Sequence, residues 1–119
     1  MPFETRTRIT LLLPAPTTYP LYLLVDQVLT DLIFLCGGIT HSHDIPPTFR
    51  GRWNDTHTHT TKHDDLILLL GDVHVPLGSP NLALFLDRLK RRCQRDFSQD
   101  IIWMTVHEVQ RVTTDDHIK

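Results

Sequence analysis

Eight histidines are the residues of this 119-residue sequence whose type and spacing most invite chemistry. His41 and His43 stand two positions apart, as do His57 and His59. On a strand that spacing turns both imidazoles to one face, where they can chelate. Imidazole suits zinc, nickel or copper, with a third or fourth ligand to complete the sphere. Strands lie about 4.8 Å apart and rise about 3.3 Å per residue, so the eight cannot form one site. Two groups remain. One is His57, His59 and His63 near a turn. The other is His41, His43 and His74, with Asp72 close by in sequence. The second is the candidate site for a divalent transition metal, because a loop can fold around an ion. The competing reading is of solvated histidines on an edge strand and in loops. No carboxylate or cysteine stands at a diagnostic ligand spacing.

Other chemistry is sparse. No glycine-rich phosphate loop is present, and Gly37-Gly38 is explained by a helix stop. Cys36 and Cys93 lie in apolar stretches, as free thiols of a reducing compartment do. Ser79-Pro80 has the form of a helix cap rather than a catalytic serine. Lys90, Arg91, Arg92 and Arg95 could touch phosphates, but a solvated helix face accounts for them.

The totals bound the rest. One domain over residues 1–119 fits the length, and it can bury a sheet-and-helix core without staples. Twelve basic and 14 acidic residues leave a formal net charge of -2, no general attraction to nucleic acid or anionic membrane. Leu11-Leu12-Leu13 is cut short by Pro14 and Pro16, so no signal peptide is expected. Leu21 to Cys36 is interrupted by Asp26, Gln27, Thr30 and Asp31, too polar to read as a bilayer span. A cytoplasmic protein without a membrane segment is the expectation.

The elements that must position these residues follow from periodicity. Arg6 to Leu13 reads as a strand ended by Pro14. Thr17 or Thr18 caps a helix that Pro20 begins, with Leu21, Leu24, Val25, Val28, Leu32 and Leu35 at helical spacing. Ile39 to Arg50 is a loop or irregular edge. Gly51–Thr60 alternates and Leu66–Val75 is strongly apolar, and Thr61 to Asp64 between them make a turn, which gives a hairpin. Ser79-Pro80 opens a second helix whose stripe is Leu82, Phe85, Leu86, Leu89 and Cys93. Ile101–Val112 is the last strand.

This order predicts an α+β, ferredoxin-like βαββαβ sandwich, a four-stranded antiparallel sheet with two helices on one face. The first and third strands are then central. Alternation places Ile67, Leu69, Val73 and Val75 under the helices, with Ile102, Met104 and Val106. Arg6, Arg8, Thr10, Leu12, Leu66, Leu68, Leu70, Asp72, His74, Trp103, Thr105 and His107 face out. An open face that mixed is rarely bare. Its expected use is as the interface of a homodimer or as a small-ligand cleft, in a binding or regulatory module. Arg8, Trp53, Asp72, Trp103 and His107 are the candidate ligand-binding residues. The alternative is a small metal-binding protein or enzyme using His41, His43 and His74. A single-stranded nucleic-acid binder comes third, with Trp53 and Trp103 as the only stacking candidates.

Overall fold

The computed structural model describes residues 2–42, 49–55 and 60–113. Its elements run β1 (Phe3–Pro14), α1 (Tyr19–Cys36), β2 (Thr40–His41), β3 (Phe49–Asp55), β4 (Thr60–Val73), α2 (Pro80–Asp96) and β5 (Trp103–Val112). The strand order is β2-β4-β1-β5, all pairs antiparallel, and β3 also pairs with β4. Because β2 and β3 share one edge of β4, the sheet is four strands wide. β1 and β4 are central, as the sequence implies.

Both helix boundaries follow from local chemistry. Thr18 accepts a bond from the Leu21 amide at the start of α1, with Pro20 in the first turn. Gly37 ends α1 at φ 79, a left-handed conformation glycine adopts without strain. Ser79 caps α2 in the same way, accepting from the Leu82 amide.

The pleat of β1 divides the molecule. Thr7, Ile9, Leu11 and Leu13 turn toward the helices and are buried. Leu11 pairs with Leu69 and Leu13 with Ile67, while Met104 lies across from Leu11 on the other side. Val25, Val28 and Leu32 of α1, and Leu89 and Cys93 of α2, close the core over them. A second cluster joins Ile9, Val73, Leu82 and Leu86. Among the described residues, the buried polar side chain of the core, Thr7, is satisfied by donating to the Val75 carbonyl at 2.7 Å. Val106 shares this face but is 37% exposed, since β5 is the edge beyond the helices.

By length and composition α1 passes for a membrane-crossing helix, with a mean hydropathy of 1.4 over 18 residues. Its inner stripe nonetheless packs on the sheet, while Tyr19, Leu23, Ile33 and Phe34 stand exposed on its outer side.

One expectation needs correcting. Thr61 to Asp64 is strand, not turn: Trp53 pairs with Lys62 and Gly51 with Asp64. The polar run has no Gly or Pro to break it, and threonine favours a strand. Within the Ile39–Arg50 stretch, read as a loop or irregular edge, a short edge strand is present. Thr40 and His41 pair with Leu70 and Leu69, and Phe49 already belongs to β3. Ser42 extends this contact, its amide donating to Leu68 and its hydroxyl accepting from the Leu68 amide.

β4 is consequently long. Fourteen residues at about 3.4 Å each span ~48 Å. β1 ends where Pro14 meets Leu66, so from there β3 and β4 continue as a two-stranded ribbon. The ribbon explains the long dimension of 53 Å and a radius of gyration of 16.2 Å. A compact chain of this length would have a radius near ~13.5 Å.

Where α1 ends it comes down on β4 at Gly71. A Cβ at Gly71 would lie 2.8 Å from the Cys36 sulfur, too close for real atoms. Gly71→Ala should cost about 1–3 kcal/mol of unfolding free energy in urea. Adding Cys36→Ala should recover much of that loss. Equal penalties in both backgrounds would show that the thiol does not set the spacing.

Candidate functional site

The site grows from the outer face of β1. Glu4, Arg6, Arg8, Thr10 and Leu12 alternate with the core residues and so point away from the helices. Register then adds neighbours. Arg8 lies opposite Asp72 on β4 and opposite His107 on β5. Directly opposed residues share a face, so Asp72, Arg8 and His107 form one row across three strands. Glu4 lies opposite Arg111 in the same manner.

The row is held by charge. Arg8 donates to both Asp72 oxygens, Nε at 2.8 Å and Nη2 at 3.0 Å, the two-pronged geometry that suits a guanidinium and a carboxylate. That hydrogen bonding holds the Asp72 carboxyl below its usual range, outweighing its partial desolvation, with the charges of Arg6 and Arg111 adding in the same direction. Glu4 serves several side chains at once. Arg6 Nη2 donates to it at 3.2 Å, His74 Nδ1 lies 3.0 Å away and Arg111 Nη1 lies 3.6 Å away. The Arg6 bond is the largest cause of the lowered Glu4 carboxyl, followed by the positive charge around it.

Beside this network lies an open cleft of about 600 Å³. Arg6, Arg8, Arg111, Asp72 and Leu70 line it from the sheet, and Cys36, Gly38, Ile39, Thr40 and Gly71 from the loop after α1. It exists because β2 is only two residues long and stops at Thr40, which leaves the Gly71 end of β4 uncovered. The volume lies in the range of small-molecule sites.

Farther along the outer face the charges give way to apolar side chains. Leu12 lies opposite Leu68 on one side and Trp103 on the other. Leu66, Leu68 and Leu70 are half-buried and Trp103 is 60% exposed. The open face is therefore charged at one end and apolar at the other.

The sequence-predicted residues separate. Arg8, Asp72 and His107 come together. Trp103 shares their face but stands four residues, about 13 Å, from His107. Trp53 does not join them. Its partner Lys62 is ten residues from Asp72 along β4, roughly 33 Å. The two tryptophans therefore make no common stacking platform, and the arginines of α2 lie on the other side of the sheet.

The metal candidates also part. His41 pairs with Leu69, on the helix side of the pleat, while His74 reaches Glu4 on the outer side five residues on. His41 is exposed, and its Nδ1 lies 3.0 Å from the Ser42 carbonyl. His43, His57 and His59 lie outside the described residues. Among the described residues no group of three His, Cys, Asp or Glu is placed to hold a metal ion.

Glu4, Arg6, Arg111 and the Gly38–Gly71 wall were not singled out by sequence. The spacing Glu4-x-Arg6-x-Arg8 was the available signal, since it puts three charges on one face of one strand. The thiols are as expected for free cysteines. Burial pushes Cys93 up to about 11, and burial together with the Asp72 charge raises Cys36. Neither is poised as a nucleophile.

No family model and no curated protein matches this sequence. Solved structures do. The chain is similar to CutA from the bacterium Xylella fastidiosa, with a TM-score of 0.52 at 10% identity over 87% of this chain and 83% of that one. The fold is ferredoxin-like α+β. A phage SAM lyase in complex with S-methyl-5'-thioadenosine gives a TM-score of 0.51 at 12% identity, covering 93% and 90% of the two chains. CPII from Thiomonas intermedia K12, a nitrogen regulatory PII-like protein bound to ADP, AMP and bicarbonate, gives 0.48 at 15% identity over 93% and 99%. At such identities the likeness shows architecture, which many unrelated functions share.

Asp72→Asn should lower stability by about 1 kcal/mol at neutral pH, the size of a well-formed but partly exposed ion pair. The sign with pH follows from the lowered carboxyl. The wild-type advantage is fully present above the ordinary carboxylate range and is lost as pH falls through the folded-state value. Urea unfolding of both proteins at neutral pH and in acid measures it. A difference that persists unchanged in acid would mean the ion pair is not its source.

Proposed function

We propose that this chain is a small binding module that associates with a second copy of itself through the apolar end of the open sheet face. The cleft at the charged end stays available to a ligand. The observation that carries this reading is the stripe of Leu12, Leu66, Leu68 and Trp103, which spans three strands and faces away from both helices. Removing such a surface from water contributes about 25 cal/mol per Å². A lone subunit leaves that contribution unused.

The ribbon argues for the same occupant. A two-stranded hairpin is marginal by itself in water. Past Asp65, whose carbonyl accepts from the Ala15 amide, the described residues add no third strand to the β3–β4 ribbon. A second copy packed on the apolar stripe lies next to the ribbon root and supplies the missing layer. Isologous pairing on a two-fold axis gives the simplest closed assembly, a homodimer.

A module of this kind has two parts that sense each other. The cleft residues Arg6, Arg8 and Asp72 sit on the same two strands, β1 and β4, that carry Leu12, Leu68 and Leu70. A ligand at the charged end acts on the strands that form the interface, which is the coupling a regulatory protein needs.

Light scattering coupled to size-exclusion chromatography tests the association. The wild-type chain should elute as more than one copy at micromolar concentration. Leu68→Lys with Trp103→Glu should give a folded monomer, as shown by an unchanged far-ultraviolet circular dichroism spectrum. A wild-type monomer at every concentration would refute the reading.

A further inference from the structure

The cleft has a chemical preference. Three guanidinium groups, from Arg6, Arg8 and Arg111, line it together with one carboxylate, Asp72. Glu4 stands behind them and brings the negative charges to two. Among these described side chains three positive charges face two negative ones. Arg8 bonds Asp72 directly, and Arg6 and Arg111 add their charge from the same wall.

Arg6 supplies a second and independent sign. Its side chain is 14% exposed, and its Nε is shut away from solvent with no hydrogen-bond partner among the described residues. A buried donor left unsatisfied costs about 1–3 kcal/mol. The sheet holds that donor at the wall of a cleft, where a small rotation of the side chain would offer it to an acceptor.

The remaining walls are uncharged. Leu70, Ile39 and Cys36 give an apolar side, and Gly38, with nothing within 4 Å of where its Cβ would stand, allows close approach to the backbone. The Cys36 thiol keeps its proton, since burial raises it, so it adds no negative charge that would repel an anion. At about 600 Å³ the cleft is larger than a bare oxyanion needs.

From these features we infer that the cleft binds a small metabolite with an anionic head, a phosphate ester or a carboxylate, held by Arg6, Arg8 and Arg111. Its neutral body lies against Leu70 and Ile39. In this arrangement Asp72 is the internal anion that occupies Arg8 when no ligand is bound. The ligand competes with it for the guanidinium. The inference rests on reading the cleft as a ligand site and is independent of whether the sheet face self-associates.

Isothermal titration calorimetry of the full chain with inorganic phosphate, and separately with acetate, tests it at low ionic strength. At least one of the two anions should bind, and which one binds distinguishes the phosphate from the carboxylate head. Arg6→Gln should weaken binding at least tenfold. Asp72→Asn should tighten it several-fold, because it removes the competing carboxylate; a merely structural Asp72 would not give that gain. Arg91→Gln, the same charge change on the far side of α2, should leave binding unaltered. Absence of binding by the wild type, or equal losses in Arg6→Gln and Arg91→Gln, would overturn the inference. Light scattering on the same samples separates that outcome from a failure of self-association.

Discussion

Strand β1 is bonded on both sides, to β4 and to β5, so its two-residue period is imposed on the whole sheet. Moving β1 by one residue would put Ile9, Leu11 and Leu13 in water and Arg6 and Arg8 in the core. Burying two guanidinium groups without partners is far costlier than any alternative packing can offset. The register is thereby fixed by the charges as much as by the leucines. The helix layer, the outer apolar stripe and the row of Asp72, Arg8 and His107 all follow from that single constraint.

The same constraint explains why the charges gather. Glu4, Arg6 and Arg8 occupy alternate positions at one end of β1, and Thr10 and Leu12 occupy the other. β4 and β5 repeat this gradient, from Asp72 to Leu66 and from Arg111 to Trp103. A face graded in this way can do two things at once. Its apolar end gains from being covered, while its polar end loses little from remaining wet. The short β2 adds the last element, because it stops before Gly71 and leaves an opening where the loop after α1 passes the arginines.

Most of this was legible in the residues. Thr18, Pro20 and Gly37 mark one helix and Ser79-Pro80 the other, since caps and stops act locally. Alternation in Arg6 to Leu13 and Leu66 to Val75 sorts the two faces correctly, and with them the grouping of Arg8, Asp72 and His107. The β3–β4 turn was not legible. Thr60 to Asp64 is polar enough for a turn but lacks the glycine or proline that forces one, and pairing with β3 draws it into the ribbon. That displacement separates Trp53 from the other candidates. The cleft was hidden for a different reason. Gly37-Gly38 ends α1, and nothing in its sequence tells that the same loop returns beside Arg6 and Arg8. Only the clash that a Cβ at Gly71 would make with the Cys36 thiol shows how closely the two approach.

The central claim is that the apolar end of the sheet is covered by a second copy of the chain. Trp103 reports on it directly, since the sequence holds two tryptophans and Trp53→Phe leaves Trp103 as the only one. Fluorescence of that variant should be blue-shifted at high protein concentration, as for an indole in an apolar interface. The emission should move to the red on dilution. Red emission characteristic of a water-exposed indole, unchanged across the whole concentration range, would contradict the account.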